Sequence, residues 1–466
     1  MKRIFSLLLV LTMAFSLCAL VACGGNEQAP GWQLGEATFD PNAEVTITFY
    51  STMSTTTLAP VADAAIERFM EMYPNITVIH EQPGNYDTVR DTIKTELTVG
   101  AHPNLAYCYP DHVAMYNRSG KVITLDQFID HPEYGLTAEQ KADFIEGFYN
   151  EGKQFGDGYM YTLPFSKSTE VLYYNADFFA EHGLKVPTTW DEMEEVCRQI
   201  KEIDPNCIPL GYDSEANWFI TMTEQYKSGY TSATGDHYLF DNKTNREFVE
   251  RFARWHSEGL MTTQELNGGY TSSLFVNQDP TQPKSYMSIG SSAGATHQRP
   301  DKVDGKYPFE VGITSIPQVN PNDPKVISQG PSLVLLDTGD TQENIAAWLL
   351  MRFLTTDVEL QAEFANASGY VPVLKSVTEV PSFKAKLDNA NGGDNIAYLS
   401  MKVCLAQEKY YYTSPAFNGS STARDQVGAL MKYCMENYTT YKNAGNVDKL
   451  IDEAFKNAIN ECESQL

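Results

Sequence analysis

One short stretch of the sequence matches a catalytic pattern. Residues 290–294 read Gly-Ser-Ser-Ala-Gly, the GxSxG form that places a nucleophilic serine on a tight turn. Hydrolases of this kind carry their acid and then their histidine after the serine, but the last histidine, His297, follows Ser292 by only five residues. Because this spacing leaves no room for that order, we interpret the stretch as a turn that leads into a helix and offers N–H groups and hydroxyls to a ligand.

Other catalytic and metal-binding patterns are missing from the sequence. It contains no GxxxxGK[ST] phosphate loop, no HExxH and no EF-hand loop. No Cys/His spacing is typical of zinc, so we expect no metal and no cofactor. Paired carboxylates for glycoside hydrolysis stay open as an alternative, since 60 acidic residues always contain pairs and the spacing selects none.

The charge of the chain restricts its partners. The 466 residues include 34 basic and 60 acidic side chains, which gives a formal net charge of −26. Proteins that bind nucleic acids or anionic membrane surfaces present basic faces, so we expect neither partner. The length predicts two or three domains, and the ordinary apolar content is enough for a large core.

The first residues predict export. Lys2 and Arg3 precede an apolar stretch, residues 5–21, and the sequence Leu-Val-Ala-Cys that ends at Cys23 resembles the bacterial lipobox. We therefore expect a lipoprotein signal peptide over residues 1–22, a lipid on Cys23 and a flexible polar tether over 23–43. These features place the protein on the extracellular face of the bacterial cytoplasmic membrane; the alternative is an ordinary signal peptide. No second apolar segment exists, which excludes a multi-span permease.

Six further cysteines follow the signal. They could form three disulfides with 15 possible connectivities, and the sequence leaves the pattern open. We expect them to be small buried apolar residues, because several lie within helical patterns. They are Cys108, Cys197, Cys207, Cys404, Cys434 and Cys462.

Strands and helices alternate along the chain. The opening predicts a βαβαβ unit: a strand at 45–50, a helix that stops at Pro74, a second strand near 76–78, a helix at 87–99 and a third strand at 105–109. Such a unit implies a mostly parallel sheet with helices on its faces. A second α/β block begins near Tyr161. It contains a strand at 171–174, a helix opened by the capping box of Thr189 and Glu192, and helices at 244–258, 342–354 and 447–462.

A set of short motifs carries a family resemblance. In chain order they are Val45–Tyr50, Phe69–Val78, Gly100–Asn104, Leu163–Phe165, Leu172–Asp177, Gly183-Leu184, Pro187, Thr189–Glu192, Ala346–Leu354 and Ser368–Val373. Each is weak alone, but their order and spacing over residues 44–466 resemble the extracellular solute-binding proteins of ABC importers, family 1. The ligands of this family are mainly sugars.

This resemblance implies an α/β fold with two lobes, of the periplasmic-binding-protein type II kind, in which helices flank mixed sheets. The first lobe would hold residues 44–163 and 318–368, and the second 168–310 and 375–466. Three hinge crossings would fall near 163–168, 309–317 and 370–374, with the ligand in the cleft between the lobes. Such proteins close around the ligand and dock, as monomers, on a membrane permease, so the chain itself needs no catalytic machinery.

A finer resemblance concerns the glycerol-3-phosphate-binding subgroup. It rests on stretches 84–86, 164–169, 291–292, 330–332, 369–370 and 418–424. The resemblance implies that the phosphate or hydroxyl groups are bound by Tyr86, Ser168, a hydroxyl of Ser291 or Ser292, Tyr370 and Arg424, with the Gly330 backbone close by. It also implies that Asp111 accepts hydrogen bonds from glycerol hydroxyls and that Trp218 offers an apolar platform. Arginine suits phosphate because its planar guanidinium presents a fork of donors.

Alternatives stay open at this point. Arg424 could instead pair with a nearby acid, Trp218 could pack in the core, and Ser291 and Ser292 could only cap a helix. A neutral mono- or oligosaccharide competes with glycerol-3-phosphate or a glycerophosphodiester as the ligand. The binding protein could also report to a membrane sensor instead of a permease, and a secreted hydrolase is the remaining class.

Overall fold

Two five-stranded sheets organise the computed structural model, which describes residues 31–464. The predicted signal peptide and the lipidation of Cys23 lie outside the described residues. The strands are β1 (Val45–Tyr50), β2 (Ile76–Glu81), β3 (Leu105–Cys108), β4 (Thr162–Pro164), β5 (Glu170–Asn175), β6 (Leu210–Tyr212), β7 (Met261–Thr263), β8 (Met287–Ser291), β9 (Val311–Ser315), β10 (Val326–Ile327), β11 (Ser332–Leu335) and β12 (Tyr411–Tyr412).

Helices surround both sheets. They are α1 (Ala59–Met72), α2 (Tyr86–Leu97), α3 (Pro110–Asn117), α4 (Asp126–Ile129), α5 (Ala138–Asp143), α6 (Glu146–Asn150), α7 (Ala176–Glu181), α8 (Trp190–Ile203), α9 (Glu215–Tyr226), α10 (Lys243–Ser257), α11 (Gln264–Asn267), α12 (Ser272–Phe275), α13 (Thr341–Thr356), α14 (Val358–Ser368), α15 (Pro381–Asp388), α16 (Ile396–Ala406), α17 (Ser420–Asn443) and α18 (Val447–Glu463). Short 3₁₀ turns cover Glu151–Lys153, Ser292–Gln298, Lys375–Glu379 and Glu408–Tyr410. No helix within residues 31–464 combines the length and apolar character needed to cross a bilayer.

The first sheet has the strand order β2-β1-β3-β11-β4. Strand β1 pairs in parallel with β2 and β3, which confirms the predicted βαβαβ opening. Alternation along β1 places Val45, Ile47 and Phe49 in the core. The late strand β11 enters between β3 and β4 and runs antiparallel to both. We call this sheet and the helices packed on it, including α1 and α13, the first lobe.

The second sheet has the order β7-β6-β8-β5-β9. Strand β6 is parallel to β7 and β8, whereas β5 is antiparallel to both β8 and β9. This sheet and its helices, among them α9, α10, α17 and α18, form the second lobe. Mixed sheets flanked by helices in two lobes confirm the predicted fold class.

Helix starts follow the local sequence. Thr189 caps α8 by accepting a hydrogen bond from the Glu192 N–H, and the Glu192 carboxylate returns to the Thr189 N–H, which is the predicted capping box. Helices α10, α13 and α18 lie within one or two residues of their predicted bounds. The 24-residue helix α17 is absent from the sequence prediction, although it carries Arg424.

Three connecting segments meet between the lobes. Lys167 forms an isolated bridge with Val371, and Ser168 forms one with Gln329. The predicted crossing at 309–317 contains strand β9 of the second sheet, so the chain returns to the first sheet only after Ser315. The small parallel pair β10–β12 lies on this return path.

Residues 31–43 differ from the predicted flexible tether. Trp32 stacks on Phe128, with 5.9 Å between ring centroids, and Leu34 is buried. The Leu34 N–H donates to the Gln127 side chain, and the Tyr134 hydroxyl donates to the Ala37 carbonyl. The prediction is therefore wrong for residues 31–43, because apolar side chains in this segment find a surface on the first lobe. Residues 23–30 of the predicted tether lie outside the described residues.

The six cysteines of residues 31–464 are all buried and free. Burial raises the pKa of each thiol above its ordinary value. This confirms the interpretation of these cysteines as small apolar core residues.

Candidate ligand-binding cleft

A cavity of about 300 Å³ lies between the two lobes. Both lobes and the connecting segments contribute to its wall. The lining residues that carry the argument below are Tyr86, Asp87, Arg90, Tyr109, Asp111, His112, Glu151, Asn217, Tyr230, Gly330, Thr413, Arg424 and Asp425. A largely preformed concave site with aromatic and polar walls is typical of a small-molecule binding site.

Arg424 enters the cavity from the second lobe. It lies in the second turn of α17, which follows Gly419, a glycine in the left-handed region with φ of 109°. The Arg424 Nη2 donates a hydrogen bond to Asn217 Oδ1 on α9, a neutral partner that leaves the guanidinium charge uncancelled. The cavity wall therefore holds a cation at the position that the sequence resemblance implies.

A second guanidinium faces the cavity from the first lobe. Arg90 on α2 forms ion pairs with Asp87 and Asp91, both at 2.9 Å. Hydrogen bonding from Arg90 holds the pKa of Asp91 below its ordinary value. Arg90 is thus largely neutralised by its own helix, whereas Arg424 is not.

Carboxylates outnumber cations around the cavity. Among the described lining residues, four are acidic: Asp87, Asp111, Glu151 and Asp425. Burial raises the pKa of Asp425, while Arg90 and Arg424 lower it. Burial also lowers the pKa of His112, so this imidazole is neutral at pH 7.

Tyrosines form the apolar part of the wall. Tyr86 packs edge-on against Tyr109, with ring centroids 5.0 Å apart, and the Tyr86 and Tyr370 hydroxyls are 3.1 Å apart. Burial raises the pKa of Tyr86 to about 12. Tyr370 therefore reaches the cavity wall through Tyr86, and both hydroxyls stay protonated as hydrogen-bond donors.

The floor of the cavity is built around Gly330. Its φ is 92°, and a Cβ there would lie 2.4 Å from the Ser166 carbonyl oxygen, so only glycine fits. The Gly330 carbonyl accepts a hydrogen bond of 2.8 Å from the Lys167 Nζ, which also forms a buried ion pair with Glu151. Hydroxyls of Ser332 and Thr413 donate to the Glu151 carboxylate at 3.0 and 3.3 Å.

Three predicted serines do not line the cavity. Ser168 is buried, and its N–H donates to the Gln329 carbonyl at 2.9 Å. Ser292 is also buried, and its Oγ accepts a hydrogen bond from the Thr169 N–H at 3.1 Å. The Ser291 Oγ accepts one from the Ala293 N–H at 3.3 Å, as the start of a 3₁₀ turn. Ser168 thus bonds through its backbone, and the hydroxyls of Ser291 and Ser292 each accept a hydrogen bond from a backbone N–H.

The prediction that Trp218 offers an apolar platform to the ligand is wrong. It is fully buried in the second lobe, where it stacks on Tyr212 with ring centroids 4.5 Å apart and contacts Phe252 at 4.0 Å. Its neighbours Asn217 and Ile220 line the cavity instead. The indole packs in the core because it lies on the side of α9 that faces the sheet.

Of the nine predicted contacts, the cavity wall contains Tyr86, Asp111, Gly330 and Arg424. Sequence reasoning missed Arg90, Asn217 and Glu151. Asn217 directly precedes Trp218, the residue that the subgroup resemblance indicates, so the signal lies one position away from the residue that lines the cavity. Arg90 lies in a helix and Glu151 in a short 3₁₀ turn, and neither stands in a distinguishing sequence pattern. Within residues 31–464, no group of three His, Cys, Asp or Glu side chains is placed to hold a metal ion.

Known proteins resemble the chain in sequence. The maltotriose-binding protein of Pyrococcus abyssi is 25% identical over 337 residues, which cover 70% of this chain and 66%, just under two thirds, of that protein. The sn-glycerol-3-phosphate-binding periplasmic protein UgpB of Yersinia enterocolitica is 24% identical over 344 residues, which cover 70% and 74%.

Solved structures share the fold. UgpB from Mycobacterium tuberculosis, solved in complex with glycerophosphocholine, has a TM-score of 0.69 and 16% identity, and the match covers 90% of this chain and 99% of that one. The sugar-binding protein MalE from Xanthomonas citri has a TM-score of 0.70 and 16% identity, with 90% and 98% covered. A family model described as bacterial extracellular solute-binding protein matches residues 64–391, and the chain belongs to that family.

Proposed function

We propose that this protein is the ligand-capturing component of an ABC importer, anchored by a lipid on Cys23 outside the cytoplasmic membrane, which delivers a small polar solute to a permease. The observation that carries the proposal is the cavity between the two lobes, lined by Arg424, Asn217 and tyrosines. A binding role without turnover agrees with the buried and hydrogen-bonded state of Ser292. The names of the relatives describe binding proteins, and none describes an enzyme.

The charges favour a particular class of ligand within this role. Four carboxylates and two guanidiniums line the cavity; Arg90 pairs with Asp87 and Lys167 pairs with Glu151, which leaves Asp111 and Asp425 against Arg424. A phosphomonoester carries two negative charges and would be repelled by the excess of carboxylates, whereas a phosphodiester carries only one negative charge. A glycerophosphodiester with a cationic head group fits best: Arg424 takes the phosphate, Asp111 takes hydroxyls or the cation, and the faces of Tyr86 and Tyr109 attract the cation.

A neutral mono- or oligosaccharide is the second candidate. Asp111, Asn217 and Arg424 supply the mixture of donors and acceptors that sugar hydroxyls need. The tyrosines of the wall supply apolar surface for a sugar ring. The resemblance to a maltotriose-binding protein supports this candidate.

Thermal unfolding with added ligand tests both candidates. The panel contains glycerophosphocholine, glycerol-3-phosphate, maltose, maltotriose and inorganic phosphate, because a ligand that binds only the folded state raises the Tm with its concentration. We expect the largest rise with glycerophosphocholine. Arg424→Gln should weaken that binding about 10- to 100-fold, as loss of a charge-assisted hydrogen bond worth about 1.5–3 kcal/mol predicts. The matched control is Arg198→Gln, since Arg198 lies on α8 and pairs with Glu194 away from the cavity.

The outcomes separate the candidates. A Tm rise with maltose or maltotriose alone would indicate that the ligand is a neutral sugar and not a phosphodiester. Equal affinity of the wild type and Arg424→Gln for glycerophosphocholine would contradict the role of Arg424. Consumption of a glycoside or ester during incubation would contradict the non-enzymatic function itself.

A further inference from the structure

A buried carboxyl group lies directly behind the cleft. Glu170, the first residue of β5, is 1% exposed, and its Oε2 accepts a hydrogen bond from the Tyr212 hydroxyl on β6. Its Oε1 is buried and has no hydrogen bond of good geometry among the described residues, although the Asn217 side chain lies next to the carboxyl. A half-satisfied buried carboxyl is costly to the fold, so its presence needs a reason beyond packing.

The position of Glu170 relates it to the ligand-facing cation. Asn217 on α9 accepts the Arg424 hydrogen bond through its Oδ1, and its side chain lies beside the Glu170 carboxyl. Tyr212, Glu170, Asn217 and Arg424 thus form a row from the core of the second lobe to the cavity wall. We call these four residues the Glu170 row.

We propose that Glu170 is a positioning residue for Arg424 and that its protonation couples capture of an anionic ligand to proton uptake. The inference rests on the proposed function, in which Arg424 contacts an anionic group of the ligand. When Glu170 is neutral, the guanidinium charge faces the cavity without a carboxylate behind it. When Glu170 is ionised, its carboxylate attracts the Arg424 guanidinium, with Asn217 between them, and so competes with the anionic group of the ligand for Arg424.

The titration range follows from the surroundings of Glu170. Burial raises the pKa of Glu170 to about 8, against the lowering effects of Tyr212, Asn217 and Arg424. The titratable groups that face it are Tyr212 on β6, Asp213 next to it, Tyr412 on β12 and Arg424 on α17. Its partner across β8 is Ser291, which carries no charge.

These neighbours do not titrate in the same way. Burial holds the pKa values of Tyr212 and Tyr412 well above 10, so both stay neutral. Burial raises the pKa of Asp213, whereas the Thr271 N–H and hydroxyl, which both donate to its Oδ1 at 2.8 Å, act to lower it. Glu170 is therefore the member of this group whose charge changes near pH 8.

The direction in which pH changes the ligand affinity follows from the charges of Glu170 and the ligand. A bound anion raises the pKa of Glu170 further, because like charges disfavour ionisation. Binding then takes up a proton near pH 8, and affinity falls as the pH rises through that value. One pKa unit of coupling predicts an affinity about tenfold lower at pH 9.5 than at pH 6.5.

Calorimetric titration of the full protein with glycerophosphocholine tests the inference, since a phosphodiester keeps its charge over this pH range. We expect proton uptake at pH 8, measured in buffers of different ionisation heat, and an affinity loss by pH 9.5. Glu170→Gln should bind with nearly constant affinity and without proton uptake. The control Glu224→Gln should keep the behaviour of the wild type, because Glu224 also has a raised pKa but does not line the cavity.

The results distinguish the inference from the function beneath it. Binding of glycerophosphocholine without proton uptake would overturn the role of Glu170 and leave the proposed function intact. Absence of glycerophosphocholine binding at both pH values would overturn this inference and the phosphodiester assignment on which it rests, while the importer role would still be tested by the sugars of the panel. Absence of proton uptake in the wild type refutes the inference even where Glu170→Gln fails to fold.

Discussion

The buried pair of Lys167 and Glu151 predicts a large loss of stability on substitution. Their side chains are 0% and 2% exposed, and Lys167 also donates to the Gly330 carbonyl and to Ser332 Oγ, at 2.8 and 2.9 Å. Lys167→Met removes the ammonium and leaves the Glu151 carboxylate buried with hydroxyl donors alone. Breaking a buried pair in this way costs about 3–5 kcal/mol.

The expected change in Tm follows from the size of the chain. About 430 residues, at roughly 2.1 cal/mol/K each, give an unfolding entropy near 0.9 kcal/mol/K if both lobes unfold together. Lys167→Met should then lower the Tm by about 3–5 °C in scanning calorimetry without ligand. The shift would be larger if one lobe unfolds as a separate cooperative unit.

An exposed pair provides the matched control. Lys384 and Glu379 are 3.0 Å apart, with side chains 48% and 73% exposed. Lys384→Met should cost at most about 1 kcal/mol, or roughly 1 °C. The double variant Glu151→Gln with Lys167→Met should recover part of the loss, because no uncompensated charge stays buried. A Tm decrease for Lys167→Met no larger than that of Lys384→Met would refute the reasoning.

Two further predictions concern backbone geometry and pH. Gly330→Ala should unfold at a lower denaturant concentration than Gly158→Ala. Both glycines have φ near 90°, but a Cβ at Gly158 has open space around it, whereas a Cβ at Gly330 would meet the Ser166 carbonyl oxygen. Equal unfolding midpoints of the two variants would contradict this close contact. Although burial raises the pKa of Glu194, hydrogen bonds from Arg198 and Arg254 lower it to about 2. The Glu194 carboxylate therefore stabilises the fold above pH 4.5 and loses this effect as the pH falls towards 2. The difference in free energy of unfolding between the wild type and Glu194→Gln should accordingly shrink on acidification. A difference that does not change with pH would contradict this prediction.

Local sequence predicted the elements whose causes are local. The alternation in Val45–Tyr50 identifies a strand with one face in the core, and the residues around Thr189 specify a helix start through their own hydrogen bonds. Neither feature needs information from distant parts of the chain. The family motifs supplied the two-lobed arrangement, which no local pattern contains.

Features that depend on distant contacts escaped prediction. Asn217 matters because α17 brings Arg424 to it from 207 residues away. Helix α9 is buried on most of its surface, so its sequence lacks the apolar stripe that would show which side faces the cleft. The subgroup resemblance assigns Trp218 to the ligand, and no helical pattern corrects this before the structure shows the indole packed on Tyr212.

The place of β11 in the first sheet has a consequence for folding. Strand β11 pairs with β4 and also covers the edge of β3. In the chain, however, β11 (Ser332–Leu335) comes after every strand of the second sheet. As the chain emerges from its N-terminus, the second sheet has all of its strands while the first still has an open edge at β3. Such an edge invites pairing with other chains until the missing strand arrives. The first sheet therefore cannot be completed before residues 332–335 have emerged.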